Sequence, residues 1–282
     1  MEFLQPATWG EALEAKAAHP DAVAVAGGTD VMVGINFGHL RPSLLVDLTR
    51  VEDLQQWGMV DGAVRLGAGV PYARVITELG DRLPGLAMAS RTIGSPQIRN
   101  RGTVGGNLAT ASPAGDGLPP LYTADAVVEL ASARGTRRVP IAEFVTGPKR
   151  NCMAPDELIA AFDLPVAKGP QQFAKVGTRN AMVIAVCSVA LALWPEQRRV
   201  AACVGSAGPT PLVAGEAEEF IAGELDWDGG RPVADDVLAR FGELIGACTR
   251  PIDDVRGTAR YRTHAVGVLG RRTLQWAWSA YK

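Results

Sequence analysis

The residues of this chain best suited to chemistry fall in two glycine-rich stretches. The first, Ala26-Gly27-Gly28-Thr29-Asp30, follows a short apolar run, Ala22 to Val25, and precedes another, Val31 to Phe37. That order predicts a strand, a tight turn and a helix start, with Thr29 or Asp30 placed to cap the free N–H groups. A helix opening from such a turn favours an anion through its unpaired amides and its dipole. The second stretch, Arg99 to Asp116 (RNRGTVGGNLATASPAGD), combines Gly102, Gly105, Gly106 and Gly115 with Thr103, Asn107, Thr110 and Ser112. It reads as a loop whose backbone N–H groups can come close to a ligand. Alone, it fits a phosphate cradle and a solvent-exposed turn equally well. Two such turns together can hold the two phosphates of a diphosphate. Neither matches G-x-G-x-x-G or ends in Gly-Lys-Ser/Thr, which argues against a Rossmann domain and a P-loop.

Other chemistries find little support. Three histidines are scattered, and Cys152, Cys187, Cys203 and Cys248 form no close pair. The expectation is no metal site, no iron–sulfur ligation by this chain, and buried free thiols at Cys187 and Cys203. A formal net charge of −2 gives no long-range pull toward nucleic acid or an anionic membrane surface. No uninterrupted apolar segment approaches the roughly 18 residues of a membrane span. The N-terminus lacks a basic region followed by an apolar stretch, and a cytoplasmic protein is expected.

The elements that must position these turns can be read in order. Thr8 and Glu11 have capping-box spacing and open a helix to Ala18. Strands are expected at Ala22–Ala26, Leu44–Leu48 and Val64–Val70, with helices over Tyr72–Leu79, Leu86–Thr92 and from Pro119 toward Ala124. A hairpin joins Ala126–Leu130 to Arg137–Val139, and Leu158–Leu164 is a further strand. After a linker at Val166–Pro170, strands at Gln172–Val176, Val183–Leu193 and Arg199–Val204 read as an antiparallel meander. Helices follow over Gly215–Ala222, Val233–Cys248 and Gly257–Tyr281. At 282 residues, with 47% hydrophobic residues, two or three units are expected. They are taken as an N-terminal α/β subdomain (1–55), an α+β subdomain (56–167) and a sheet-and-helix domain (168–282). The fold class is α+β.

AGGTD at 26–30 and IRNRGTVGGNLATASPAGD at 98–116 resemble the FAD-binding medium subunit of the molybdenum hydroxylases, the xanthine dehydrogenase family. KVGTRNAMVIAV at 175–186 and PIDDVRGTARYRTHAVGVLGRRTL at 251–274 resemble that subunit's C-terminal module. The resemblance implies a two-subdomain FAD-binding fold followed by a three-stranded antiparallel sheet with helices. It implies that Ala26, Gly27, Gly28, Thr29 and Asp30, with Thr103, Gly105, Gly106 and Asn107, enclose the FAD diphosphate and ribityl chain. Ala109 and Thr110 are then backbone neighbours, and Asp116 hydrogen-bonds the sugar hydroxyls. Lys175 falls near the isoalloxazine pyrimidine edge, where a cation would offset negative charge on the cofactor. Without the resemblance, Asp116 reads as a turn former and Lys175 as an outward-facing strand lysine. Ile93 stands where some members place an aromatic ring, so stacking there is in doubt, and Met153 or Cys152 aligns with an apolar residue beside the flavin. The implied function is to pass electrons from a partner's [2Fe–2S] centre through FAD to NAD⁺, oxygen, a quinone or another carrier. The implied partners are a molybdopterin-binding large subunit and a [2Fe–2S] small subunit. The alternative is a stand-alone FAD-dependent oxidase or oxygenase.

Overall fold

A computed structural model of the chain describes residues 1–281; Lys282, the last residue of the expected third unit, lies outside the described residues. The chain starts with β1 (Glu2–Leu4), α1 (Trp9–Ala18) and β2 (Val23–Val25), then α2 (Val31–Asn36) and β3 (Leu44–Asp47). β3 lies between β1 and β2 and pairs in parallel with both. All four of its residues are buried, as befits a strand with neighbours on both edges. The α1 capping box forms as expected: Thr8 Oγ1 accepts from Glu11 N–H at 3.2 Å, and the Glu11 carboxylate accepts the Thr8 N–H. β1 carries no sequence signal, since its three residues are all exposed. It exists because β3 offers an open edge.

The chain continues with β4 (Trp57–Val60) and β5 (Ala63–Gly67), then five helices in succession. These are α3 (Tyr72–Glu78), α4 (Pro84–Thr92), α5 (Pro96–Arg101), α6 (Val104–Thr110) and α7 (Leu118–Thr123). β6 (Val127–Ser132), β7 (Gly135–Pro140) and α8 (Ile141–Phe144) follow, and β8 (Val145–Gly147) with β9 (Arg150–Asn151) makes a small ladder. β10 (Leu158–Pro165) then enters the middle of an antiparallel sheet of order β4-β5-β10-β6-β7.

The region expected to be one glycine loop therefore contains two short helices. Ser95 caps α5, and Thr103 Oγ1 accepts the Gly106 N–H at 2.9 Å to cap α6. Glycine's low helix propensity hides α6 in the sequence. Its purpose is steric: a Cβ on Gly105 would stand 2.5 Å from the Ala68 carbonyl oxygen. Only without one can α6 sit on the end of β5.

A further sheet is made of β11 (Gln171–Val176), β12 (Cys187–Trp194), β13 (Arg199–Gly205) and a two-residue β14 (Leu212–Val213), paired in that order. β14 extends the expected three strands by one. α9 (Gly215–Glu224), α10 (Asp235–Ala247) and α11 (Ala259–Tyr281) follow. β12 is buried along its whole length. Cys187, Val189, Leu191 and Leu193 face a core shared with α9, α10 and α11, while Ala190 packs with Phe173 and Ala89 of α4 on the other face. Helices on both sides, α4 on one and α9, α10 and α11 on the other, thus cover the two faces of one sheet. Fully burying a leucine such as Leu191 contributes about 1.5–3 kcal/mol, and the alanines opposite leave room for α4. The strand begins at Cys187 rather than Val183, because residues 177–186 leave the sheet as a loop. No helix among the described residues is long and apolar enough to cross a membrane.

Candidate functional site: a cleft between two turns

The two glycine stretches meet directly. A Cβ on Gly27 would stand 2.0 Å from the Arg101 carbonyl oxygen and 2.9 Å from Gly102 Cα. Further along, Thr110 Oγ1 donates to the Asp30 carboxylate at 3.0 Å. Asp30 occupies the N-cap position of α2 without capping it, its side chain turned to the second stretch instead. That second stretch is fastened to the end of β5: Tyr72 N–H donates to Gly102 O at 3.0 Å and Gly105 N–H to Ala68 O at 3.1 Å.

Between the turns lies a cavity of about 220 Å³, lined by Ala26, Gly27, Thr103, Gly105, Gly106, Ala109 and Met153 among others. The amide hydrogens of Gly27, Gly28, Thr29 and Asp30 find no acceptor among the described residues. Those of Gly105, Gly106 and Asn107 are already used, by Ala68 O, Thr103 Oγ1 and Thr103 O. The first turn thus carries the free donors, with Gly27 at the cavity edge, and the second supplies a close floor. Thr49, Gln55, Asn100 and Arg101 also line the cavity. No motif marks Thr49 or Gln55. Of the two arginines at the start of the second stretch, Arg99 donates to Ile93 O and Gly94 O, whereas Arg101 borders the cavity.

α5 separates this cavity from a second of about 400 Å³, to which it contributes Arg99. Thr92, Gly94, Lys175 and Val183 line that second space. Ile93 lies between two of its residues but packs toward the main core. Met153 lines the first cavity and not the one containing Lys175.

Asp116 and Lys175, fifty-nine positions apart in sequence, form a buried ion pair at 2.5 Å with side chains 8% and 7% exposed. Lys175 Nζ also donates to Thr92 O at 2.9 Å and Val183 O at 3.0 Å, which meets its three donors. The lysine is therefore turned inward, against the bland reading of an exposed strand position. Burial raises the Asp116 carboxyl above its ordinary range, and the Lys175 charge opposes that rise.

Three buried oxygens here have no hydrogen-bond partner among the described residues: Tyr72 Oη, Asn107 Oδ1 and Asp116 Oδ1. Two of them are close together: a Cβ on Gly117, the residue after Asp116, would lie 2.6 Å from Tyr72 Oη and 2.9 Å from Asn107 Oδ1. Burial, with the Asp116 charge nearby, pushes the Tyr72 hydroxyl well above its usual range, so it remains protonated. Free amides at a cavity edge suit a ligand that carries phosphates, and buried polar oxygens left without partners nearby in the fold suit one that also carries hydroxyl groups. The residues present fit FAD. Among the described residues no group of three His, Cys, Asp or Glu could hold a metal.

Comparison with known proteins identifies the family. Residues 1–167 match the family model described as the FAD binding domain in molybdopterin dehydrogenase, and residues 172–277 match the CO dehydrogenase flavoprotein C-terminal domain. The nicotinate dehydrogenase FAD-subunit of Eubacterium barkeri is 32% identical over 79% of this chain and 79% of its own. The xanthine dehydrogenase FAD-binding subunit of Escherichia coli O157:H7 is 28% identical over 99% of this chain and 96% of its own. Among solved structures, the reconstituted CO dehydrogenase from Oligotropha carboxidovorans superposes with a TM-score of 0.92 at 27% identity, covering 99% of this chain and 98% of that one. The carbon monoxide dehydrogenase of Hydrogenophaga pseudoflava gives 0.91 at 25% identity, covering 100% and 98%. Fold and site define a flavoprotein of the oxidoreductase class. The chain belongs to the family of FAD-binding domains of molybdopterin dehydrogenases, and FAD is its cofactor. Relatives of matching length are named as subunits, which favours the subunit reading over a stand-alone oxidase.

Proposed function

We propose that this chain is the electron-relaying flavin subunit of a complex with a molybdopterin-binding large subunit and a [2Fe–2S] small subunit. When bound, FAD supplies a carrier able to exchange electrons one or two at a time. The chain's own residues do the placing. Gly27, Gly28, Thr29 and Asp30 direct amides at the diphosphate, Arg101 adds a cation, and the α6 turn at Thr103, Gly105 and Gly106 closes the floor. Asn107 and Asp116 accept hydroxyl groups, with Ala109 and Thr110 alongside. Lys175, held by Asp116, sets the local charge at the second cavity. Met153 and Ile93 are apolar neighbours in this reading, without a stacking role. The three units 1–55, 56–167 and 168–282 and a cytoplasmic location belong to the same proposal.

The observation that carries it is the contact of the two turns around a cavity that offers unused amides. Two measurements test it. Purified chain titrated with FAD should quench flavin fluorescence at one equivalent. Tagged chain drawn from its native cells should bring down one molybdenum-containing and one iron–sulfur polypeptide. Absence of FAD binding would end the reading; binding with no partners would return the stand-alone enzyme.

A further inference from the structure

Outside both cavities, a charged cluster around the start of α11 holds the two backbone segments that carry the Lys175–Asp116 pair. Arg262, in the first turn of α11, is 2% exposed. Its Nη1 donates to Ser206 O at 2.8 Å and its Nη2 to the Asp254 carboxylate. That carboxylate also accepts the Arg256 N–H at 2.8 Å and Arg256 Nη2 at 2.6 Å. Arg256 Nη1 in turn reaches Ala185 O at 3.3 Å.

Ser206 is where these contacts converge. It sits at φ +60°, a conformation that side chains adopt only when the surroundings insist. Its hydroxyl donates to Ala185 O at 2.8 Å, and its N–H donates to Pro113 O at 2.8 Å. Pro113 lies on the stretch that leads into Asp116. Ala185 lies on the loop whose Val183 carbonyl receives Lys175 Nζ at 3.0 Å. Both ends of the ion pair therefore trace back to one arginine.

Packing alone does not account for that arginine. Withdrawing a guanidinium from water is costly unless its donors are met, and Arg262 Nε is left without an acceptor. A leucine would fill such a place without that cost. We propose that Arg262, with Asp254 and Arg256, is a positioning residue that fixes Ser206 and Ala185 and thereby holds the Lys175–Asp116 pair in register with the flavin site. This rests on the reading that the pair belongs to that site.

The test uses the 282-residue chain with FAD as the probe. Arg262→Lys keeps the charge but replaces the planar fork, so that one ammonium cannot meet both Ser206 O and Asp254 in their present places. The expected result is an FAD Kd at least tenfold higher and an altered visible circular dichroism of the bound flavin. Thr273→Ala is the control: Thr273 is buried on the same helix and its hydroxyl donates only within α11, to Leu269 O and Gly270 O. It should lower Tm while leaving Kd within threefold. Arg262→Lys with Kd within threefold and an unchanged spectrum, or a loss of FAD affinity no greater than that of Thr273→Ala at equal loss of Tm, overturns the proposal. Should Arg262→Lys not fold, Asp254→Asn takes its place, with a Kd raised threefold or more expected and an unchanged Kd overturning. An unaltered chain that fails to bind FAD would overturn the functional reading as well, and shows before any substitution is made.

Discussion

Gly27→Ala isolates the contact between the two turns. The added Cβ would lie 2.0 Å from Arg101 O, 2.5 Å from Arg101 C and 2.9 Å from Gly102 Cα, all backbone atoms with no side chain to swing aside. Carbon contacts settle at about 3.5–4.0 Å, so the turns must part by roughly 1.5 Å. Forcing a methyl into a packed contact costs typically about 1–3 kcal/mol. For a chain of this size each kcal/mol lowers Tm by about 2–4 °C, which gives a fall of roughly 2–12 °C. If the same separation draws the Gly27 and Gly28 amides off their ligand at similar cost, FAD affinity drops about five- to 150-fold. Thermal melts with and without FAD, together with a fluorescence titration, measure both quantities. A variant that melts within 1 °C of the parent and binds FAD within threefold would refute the apposition of the turns.

Gly106→Ala should behave differently. Its Cβ would meet only Thr103 Oγ1, at 3.1 Å, and the residue lines the cavity. Helix propensity favours alanine by up to about 1 kcal/mol, so Tm should hold or rise while FAD affinity falls roughly tenfold; lost stability with retained binding would contradict this. Lys175→Met leaves the Asp116 carboxylate buried and unpaired and should cost about 3–5 kcal/mol in urea unfolding. Adding Asp116→Asn should recover more than half, and a double variant no better than the single would show the pair to be uncoupled. Asp254 supplies a pH test. Hydrogen bonds from Arg256, and then from Arg262, hold its carboxyl well below the usual range. A depressed folded-state value contributes stability above the ordinary carboxylate range that is lost as pH falls through it. Between about pH 5 and 2 the parent should therefore lose more stability than Asp254→Asn; parallel losses would refute the role of that carboxylate.

Much of this architecture was legible in residue patterns, for reasons that also explain the misses. Thr8 and Glu11 announce α1 because a capping box is local, and the apolar run ending at Trp194 announces β12 because both of its faces are covered. The same hydrophobicity misleads at Val183 to Val186, where an apolar loop reads as more strand. What turns that segment out of the sheet is the capture of Val183 O and Ala185 O by Lys175, Ser206 and Arg256, which lie elsewhere in the sequence. Ser95 and Thr103 were readable as caps, yet Gly105-Gly106 masked the helix that Thr103 begins. Thr49 and Gln55 reach the cavity through the meeting of segments far apart in the chain, and no spacing encodes such a meeting. The partnership of Asp116 with Lys175 was hidden for the same reason, although the family resemblance had singled out each residue separately.

At the first turn, Gly27 is needed for the atom it lacks, and the unused donors beside it are main-chain groups that nearly every amino acid possesses. Such a cradle places few demands on side-chain identity. Chains can therefore diverge until only 25% of their residues coincide and still superpose with a TM-score of 0.91. Drift in this lineage should accumulate around the turn but halt at Gly27, where a methyl group cannot be admitted, and at Gly28, whose φ of +72° few side chains adopt.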